Sequence, residues 1–270
     1  MLQASDDLKV MMDAARAAGD GLMRHFGALA SLGVRTKSGP ADLVSIADEE
    51  AERTIRAILG RARPSYGFLG EEGGATSGGD DAQTWIADPL DGTTNFLFGT
   101  PLWGVNVALA REGDIVAGVT WLPVLNEMYV AEKGAGAWLN GQRIHVSSRH
   151  RLVDSVLGCG IPFAGKPDHP VFAREMALLS ANVAGIRRTG ACSVDMAYVA
   201  AGRWDAYWER ALNAWDMGPG VILVREAGGV ASSVTGAALD VHGGNVCVSN
   251  GTIHDALIEQ LNRALRAPTS

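Results

Sequence analysis

Asp88 and Asp91 stand three residues apart in 85-WIADPLDGTTNF-96, just after the apolar run Trp85-Ile86-Ala87 and just before Gly92-Thr93-Thr94. Two carboxylates at a strand end supply oxygen ligands for a hard divalent cation. A Gly-Thr-Thr that opens a helix offers amides and hydroxyls to an anion. A cation site beside an anion site suits metal-assisted phosphate chemistry. The same letters also make a plain turn, because Asp, Pro and Gly are common turn formers, and taken alone the stretch reads more readily that way.

Other acids have ordinary explanations when taken singly. Glu71 and Glu72 follow the short apolar run 66-YGFLG-70, and an acid pair after a strand usually faces solvent. Glu71 nevertheless ends a strand as Asp88 does, and ligands of α/β proteins gather at strand ends. Asp48 stands three residues after Ser45, a capping-box spacing that predicts a helix start. Asp216 sits at the start of a predicted helix, where an acid also serves as a helix-end residue. Lys37 reads as a surface lysine, and His25 as a cation near a helix end.

The elements that must position these residues are read from periodicity. Helical spacing runs through 6–30, from Ser45 to Leu59, near 171–184, from Gly190 to Gly202, through 213–229 and through 253–265. Strands are expected at 66–70, 85–87, 103–110 and 114–123, with Glu112-Gly113 joining the last two. Short strands continue through 127–144, where Asn140-Gly141 is a strong hairpin turn. Further strands are expected at 153–161, 185–189, 204–209 and 246–250, while 35–40 reads as loop or hairpin and 75–83 as a polar loop. Trp103, Trp121 and Trp138 are expected in or near the core. The texture changes near Val146. That places a loose boundary between an N-terminal α+β region, 1–146, which holds most of the candidate acids, and a C-terminal α/β region, 147–270, which holds Asp216. Intermixed helices and strands around a β-rich centre argue for a layered α/β (α+β) protein, although pattern alone leaves the topology open.

Bulk properties exclude several classes. The 270 residues are 47% apolar and 20% charged, with a formal net charge of -7. No basic block exists, so electrostatic binding to nucleic acid or an anionic membrane is not expected. Cys159, Cys192 and Cys247 form no C-x-x-C, which points to buried thiols in a reducing compartment. The opening MLQASDDLKV lacks the apolar core of a secretory leader, and the expectation is a cytoplasmic protein. The longest uncharged stretch, 92–110, is broken by Gly and Pro and fits turn plus strand rather than a membrane span.

Together, 85-WIADPLDGTTNF-96 and 215-WDMGPGVILVREAGG-229, with 42-DLVSIAD-48, 69-LGEE-72 and 204-WDAYWE-209, resemble the inositol monophosphatase family of magnesium-dependent, lithium-sensitive phosphatases. The likeness covers essentially the whole chain and is strongest to the bacterial inositol-1-monophosphatase branch. It implies an αβαβα sandwich of the inositol monophosphatase and fructose-1,6-bisphosphatase type, usually a homodimer, acting on a small phosphorylated polyol. Carried over by position, it implies that Glu71, Asp88, Asp91, Asp216 and the carbonyl of Leu90 hold two or three Mg²⁺ ions. It also implies that the Gly92 and Thr93 amides hold phosphate, and that Thr93 and Asp48 pair near the attacking water. Glu71 is implied to orient or deprotonate that water, with Lys37 near the phosphate end. Glu209 is implied to hydrogen-bond polyol hydroxyls beside the Gly190-Ala191-Cys192 backbone.

Two departures touch these motifs. Gly218-Pro219 replaces the small pair usual after W-D-x, and proline is tolerable in a first helical turn. Gly190-Ala191-Cys192-Ser193 stands where Gly-Ser-Ala-Ala is common, which leaves the leaving group less defined than the chemistry. Histidinol phosphate, fructose 1,6-bisphosphate or an adenosine bisphosphate would use the same machinery. Only Lys166 is basic in 162–170, where a second phosphate calls for a basic insertion, so bisphosphates are disfavoured. A regulatory binding protein on the same fold is the reading from another class.

Overall fold

The computed structural model describes residues 2–29, 34–36 and 43–266. Helix α1 (Asp6–Phe26) starts where Ser5 Oγ accepts from the Leu8 amide at 3.1 Å. Asp6 and Asp7 lie in its first turn and Arg24 and His25 in its last, each sign matching the helix dipole. Its buried stripe of Leu8, Met11, Ala15, Ala18 and Leu22 follows helical spacing. A short antiparallel pair, β1 (Val34–Thr36) and β2 (Leu43–Ser45), leads into α2 (Ile46–Ala62). Ser45 and Asp48 form the capping box that their spacing predicts.

Helices α1 and α2 cover one face of an eight-stranded sheet. Its strands are β3 (Tyr66–Gly70), β4 (Gly74–Thr76), β5 (Asp80–Asp91), β6 (Gly104–Arg111), β7 (Asp114–Leu122), β8 (Glu127–Glu132), β9 (Gly136–Leu139) and β10 (Gln142–Ile144). Their order is β10-β9-β8-β7-β6-β5-β3-β4. Only β3 and β5 run parallel; the other pairs are antiparallel, as the hairpin spacings predict. The short α3 (Thr93–Leu97) follows β5 directly.

A second sheet holds β11 (Val156–Cys159), β12 (Gly185–Arg187), β13 (Ala206–Glu209), β14 (Val230–Ser232) and β15 (Val246–Ser249), in the order β12-β11-β13-β15-β14. Between the sheets lie α5 (Cys192–Ala200) and α6 (Ala214–Glu226); outside the second sheet lie α4 (His169–Ser180) and α7 (His254–Arg266). The result is the layered αβαβα sandwich expected of this chain. Among the described residues, no helix is long and apolar enough to cross a membrane.

Two apolar clusters fill the faces of the large sheet. Trp85, Ala87 and Val107 point toward α1 and α2, while Ile86 and Ala108 point toward α5 and α6. That alternation is the strand period of two. Each fully buried side chain such as Leu8, Leu59 or Phe96 contributes about 1.5–3 kcal/mol. Helix α6 buries Met217, Val221, Ile222, Leu223 and Val224, because a middle layer needs apolar contacts on both sides.

Three expectations are corrected. Residues 75–83 are not simply a loop: β4 folds back on β3 and β5 begins at Asp80, because ladder pairing overrides the polar composition. The chain does not turn after Asp88 but continues as strand to Asp91. Strand β14 was not expected, since three residues carry too little periodicity to register.

His254 closes the second sheet. Its Nε2 lies 2.9 Å from Ser232 Oγ and its Nδ1 lies 2.9 Å from Ser249 Oγ. Burial holds its pKa below the ordinary histidine value of 6.5. The neutral ring is therefore favoured in the fold, and its contribution is complete above that value and lost as pH falls through the lowered one. The urea midpoint should fall on acidification from pH 7.5 to 5, and His254→Gln should flatten that limb. An identical pH profile in the variant would remove His254 as its source.

Candidate active site

The bulge in β5 creates the site. Asp88 pairs with Asn106 and Asp91 with Gly104, so one residue too many lies on the β5 side. In a regular strand, residues three apart face opposite ways. The extra residue sends Leu90 into the cluster under α1 and α2, and brings Asp91 to the α5 side, where its Oδ2 accepts from the Ser193 amide at 2.6 Å. Asp88 Oδ1 accepts from the Leu90 amide at 2.9 Å and so braces the bulge. Both acids thereby lie toward the same middle layer.

Three elements bring the remaining acids. Glu71 follows β3, which runs parallel to β5, and its amide donates to the Ala87 carbonyl at 3.3 Å. The buried Glu52 of α2 fixes the turn beyond it, accepting from the amides of Glu72 at 2.7 Å and Gly73 at 2.8 Å. A Cβ at Gly70 would collide with the Glu52 carboxylate. Asp216 opens α6, and its Oδ2 accepts from the Asn213 amide at 2.6 Å. Thr120 Oγ1 donates to Asn106 Oδ1 at 2.8 Å, and Asn106 Nδ2 reaches the Asp216 carbonyl at 3.4 Å. A buried polar chain thus ties the large sheet to the start of α6.

Asp48 is almost fully buried, and its Oδ2 accepts from the amide and hydroxyl of Ser45. Its Oδ1 lies 3.2 Å from Thr93 Oγ1, which also lies 3.0 Å from the Leu90 carbonyl. Gly92 caps α3 with φ 87°, a left-handed conformation that favours glycine, and leaves the first amides of that short helix without intrahelical partners.

Electrostatics sets this corner apart. Burial, then Glu71, Asp91 and Asp216, pushes Asp88 well above the usual carboxylate range. Burial, then Glu71 and Asp91, does the same to Asp216. Asp91 is raised to about 6, by burial first, against the opposing Ser193 bonds. Among the described residues no lysine or arginine pairs with Asp88, Asp91 or Asp216. Like charges gathered without a counter-charge call for a cation, and an all-oxygen set suits a hard one. Among the described residues no three of these side chains already converge as a closed ligand set. The fit therefore rests on charge and donor chemistry.

A cavity of about 430 Å³ extends from Glu71, Asp91, Thr93 and Asp216 to Glu209 on the far wall. Glu209 ends β13, packs on Gly160, and its Oε2 takes the Tyr207 hydroxyl. Burial first, and nearby Asp91, raise its pKa to about 7, while Tyr207, Arg188 and Lys166 pull the other way. Gly190, Ala191 and Cys192 line the same space. Asn95 Nδ2 donates to the carbonyls of Leu102 at 2.6 Å and Thr189 at 2.9 Å, tying α3 to that segment.

Of the residues singled out in the sequence, Glu71, Asp91, Gly92, Thr93, Gly190, Ala191, Cys192, Glu209 and Asp216 line the cavity. Asp88 lies close enough to Glu71, Asp91 and Asp216 to feel their charges, and Asp48 and the Leu90 carbonyl lie against Thr93. Lys37 lies outside the described residues. One family profile covers residues 3–266. The chain belongs to the inositol monophosphatase family. The inositol-1-monophosphatase of Mesorhizobium japonicum is 48% identical over 260 residues, covering 96% of this chain and 97% of that protein. Nus factor SuhB of Pseudomonas aeruginosa is 40% identical over 255 residues, covering 93% of this chain and 94% of that protein. The crystal structure of extragenic suppressor protein SuhB from Bartonella henselae matches with a TM-score of 0.93 at 43% identity, over 96% of this chain and 99% of that one.

Some residues of this inositol monophosphatase family site gave no signal in the sequence. Glu52 lies in mid-helix with no motif around it. Arg188 belongs to a pair that reads only as the end of a short strand, yet it lines the cavity beside Gly190. Arg210 reaches the same cavity from the residue after Glu209.

Proposed function

We propose that the chain is a Mg²⁺-dependent phosphatase that hydrolyses a small polyol phosphate, foremost myo-inositol 1-phosphate, by direct attack of water on phosphorus. The observation that carries this reading is the bulge that turns Asp91 to the same side as Asp88, toward the middle layer and next to the opening of α3. Glu71, Asp88, Asp91, Asp216 and the Leu90 carbonyl would hold the Mg²⁺ ions. Bound Mg²⁺ would supply Lewis acidity toward water and toward the leaving oxygen.

The chain's own groups do the rest. The Gly92 and Thr93 amides bind the phosphate oxygens. The Thr93 hydroxyl, when it donates to Asp48, turns its lone pairs outward and accepts from the attacking water. Glu71 orients that water or takes its proton. The water oxygen bonds to phosphorus as the ester P–O bond breaks. The leaving oxygen takes a proton from solvent water in the open cavity, and the proton lost by the attacking water returns to solvent through Glu71. The alcohol leaves toward Glu209. Ionised Glu209 accepts hydrogen bonds from the hydroxyls of that alcohol beside the backbone of Gly190, Ala191 and Cys192. A homodimer in the cytoplasm, inhibited by lithium, is proposed on the family resemblance.

The test is phosphate release from inositol 1-phosphate, histidinol phosphate, fructose 1,6-bisphosphate and adenosine 3',5'-bisphosphate, each with Mg²⁺, with EDTA, and with Mg²⁺ plus Li⁺. The expected result is strong release from inositol 1-phosphate that EDTA abolishes and Li⁺ inhibits. Preference for another ester would move the substrate and keep the metal chemistry. Release from none would replace the enzyme reading by a regulatory one, of the kind that the SuhB relatives' name suggests.

A further inference from the structure

We propose that Glu175, a buried carboxylate of α4 outside the catalytic cavity, is a positioning residue that holds Glu209 in register for the leaving group. The inference rests on the substrate role given to Glu209 above.

Glu175 is fully buried. Its Oε2 accepts from Trp208 Nε1 at 3.0 Å, and its Oε1 pairs with Arg210 Nη2 at 2.6 Å. Its two partners are the residues on either side of Glu209 in the chain. In a strand, residues i and i+2 share a face and the one between faces the other way. Trp208 accordingly packs into the cluster beneath α4 and α7, whereas Tyr207 packs toward α5 and α6 and Glu209 lines the cavity. One side chain therefore holds both residues flanking Glu209: Trp208 on the back of the strand, and Arg210 just past its end, where it also borders the cavity.

The grip falls at the end of the strand, just before a turn whose Ala211 carbonyl accepts from Lys166 Nζ at 3.0 Å. Strand β13 is the central strand of its sheet, but its ladder ends at Glu209. Ala211 then adopts φ 58°, a left-handed conformation that costs a residue with a Cβ and persists only when its surroundings enforce it. Arg210 is the last anchored side chain before that turn. On the cavity side, Glu209 takes the Tyr207 hydroxyl and packs on Gly160, with the charges of Arg188 and Lys166 nearby. A buried ion pair adds little net stability compared with apolar packing. A role in register explains why a charge is kept there.

The experiment compares two esters. Inositol 1-phosphate offers hydroxyls to Glu209; p-nitrophenyl phosphate has a leaving group without any. The readout is the ratio of kcat/KM for the first to kcat/KM for the second. Glu209→Gln should lower this ratio about ten-fold, the loss expected for a hydrogen bond to a charged acceptor. Glu175→Gln should lower it in the same direction by about the same factor, because its effect passes through Glu209. The double variant should fall no further than Glu209→Gln alone, since the two act as one unit. Loss of the buried charge leaves Arg210 without its partner and can unfold the protein. Trp208→Phe, which removes one bond to Glu175 and keeps the ion pair, then replaces it and should lower the ratio about three-fold.

An unchanged ratio in Glu209→Gln withdraws the substrate role of Glu209 and this proposal with it. A lowered ratio in Glu209→Gln with an unchanged ratio in the Glu175 or Trp208 variant overturns the clamp alone. So does independent addition in the double variant, or an equal loss on both esters, which is what a general structural defect produces.

Discussion

Asp91→Asn should retain the fold and lose about a thousand-fold in turnover, the ~4 kcal/mol that one strong electrostatic contact to a transition state is worth. Asparagine keeps the shape of aspartate and one carbonyl oxygen. It still accepts from the Ser193 amide, so the link from the bulge to α5 survives. What disappears is the negative charge on the residue that the bulge turns toward the cavity. The companion observation is stability. Asp91 is raised to about 6 in the fold from an ordinary 3.8, with burial the first cause. A raised value means that the ionised form is disfavoured in the native state. The associated stability is present below 3.8 and lost as pH rises through about 6. In EDTA at pH 7.5 the variant should therefore melt no lower than the parent. Near-parental turnover would remove Asp91 from the site, and a large fall in melting temperature would recast it as a structural residue.

How much of this was legible in the sequence depended on the range of the interaction. The Ser45 and Asp48 box, the Asn140-Gly141 hairpin and the start of α1 at Asp6 are local, and local rules placed them correctly. The bulge was misread as a turn because Asp-Pro-Leu-Asp-Gly satisfies both descriptions and only pairing with β6 separates them. The gathering of Glu71, Asp88, Asp91 and Asp216 came from the family likeness, since no spacing rule joins β3, β5 and α6. Glu52, Glu175 and Arg210 carried no signal, because each acts through a partner 20 or more residues away. Their burial is a property of the assembled layers.

The middle layer also explains why the site depends on residues that never approach a ligand. Asp216 stands on α6, and α6 is held between two sheets by apolar contacts on both sides. The Asn106 bond sets the start of that helix against β6. Any change in the height of α6 above the large sheet therefore moves Asp216 relative to Asp88 and Asp91, which are fixed to β5.

Gly118→Val should test that dependence and cost about 3 kcal/mol, near the upper end for overpacking a core, which lowers the melting temperature by about 5 °C. Gly118 lies in β7 directly under α6. A Cβ there would stand 2.5 Å from Ile222 Cγ2, 2.9 Å from Pro219 Cα and 3.0 Å from the Pro219 carbonyl oxygen. A side-chain methyl can rotate away, but the helix backbone at Pro219 can only be displaced. Pro219 lies less than two turns after Asn213 and three residues after Asp216, so the displacement reaches the cap that orients the carboxylate. Valine suits a strand, so the strand itself gives no reason for a loss. Turnover at 25 °C, well below the new melting temperature, should also fall, because misplacement of a positioned group by about 1 Å costs up to a hundred-fold. A lowered melting temperature with full turnover would mean that α6 tilts about its Asp216 end and leaves that end in place. An unchanged melting temperature would mean that the layer beneath α6 has slack, and the close approach of helix to sheet would lose its claim to set the geometry of the site.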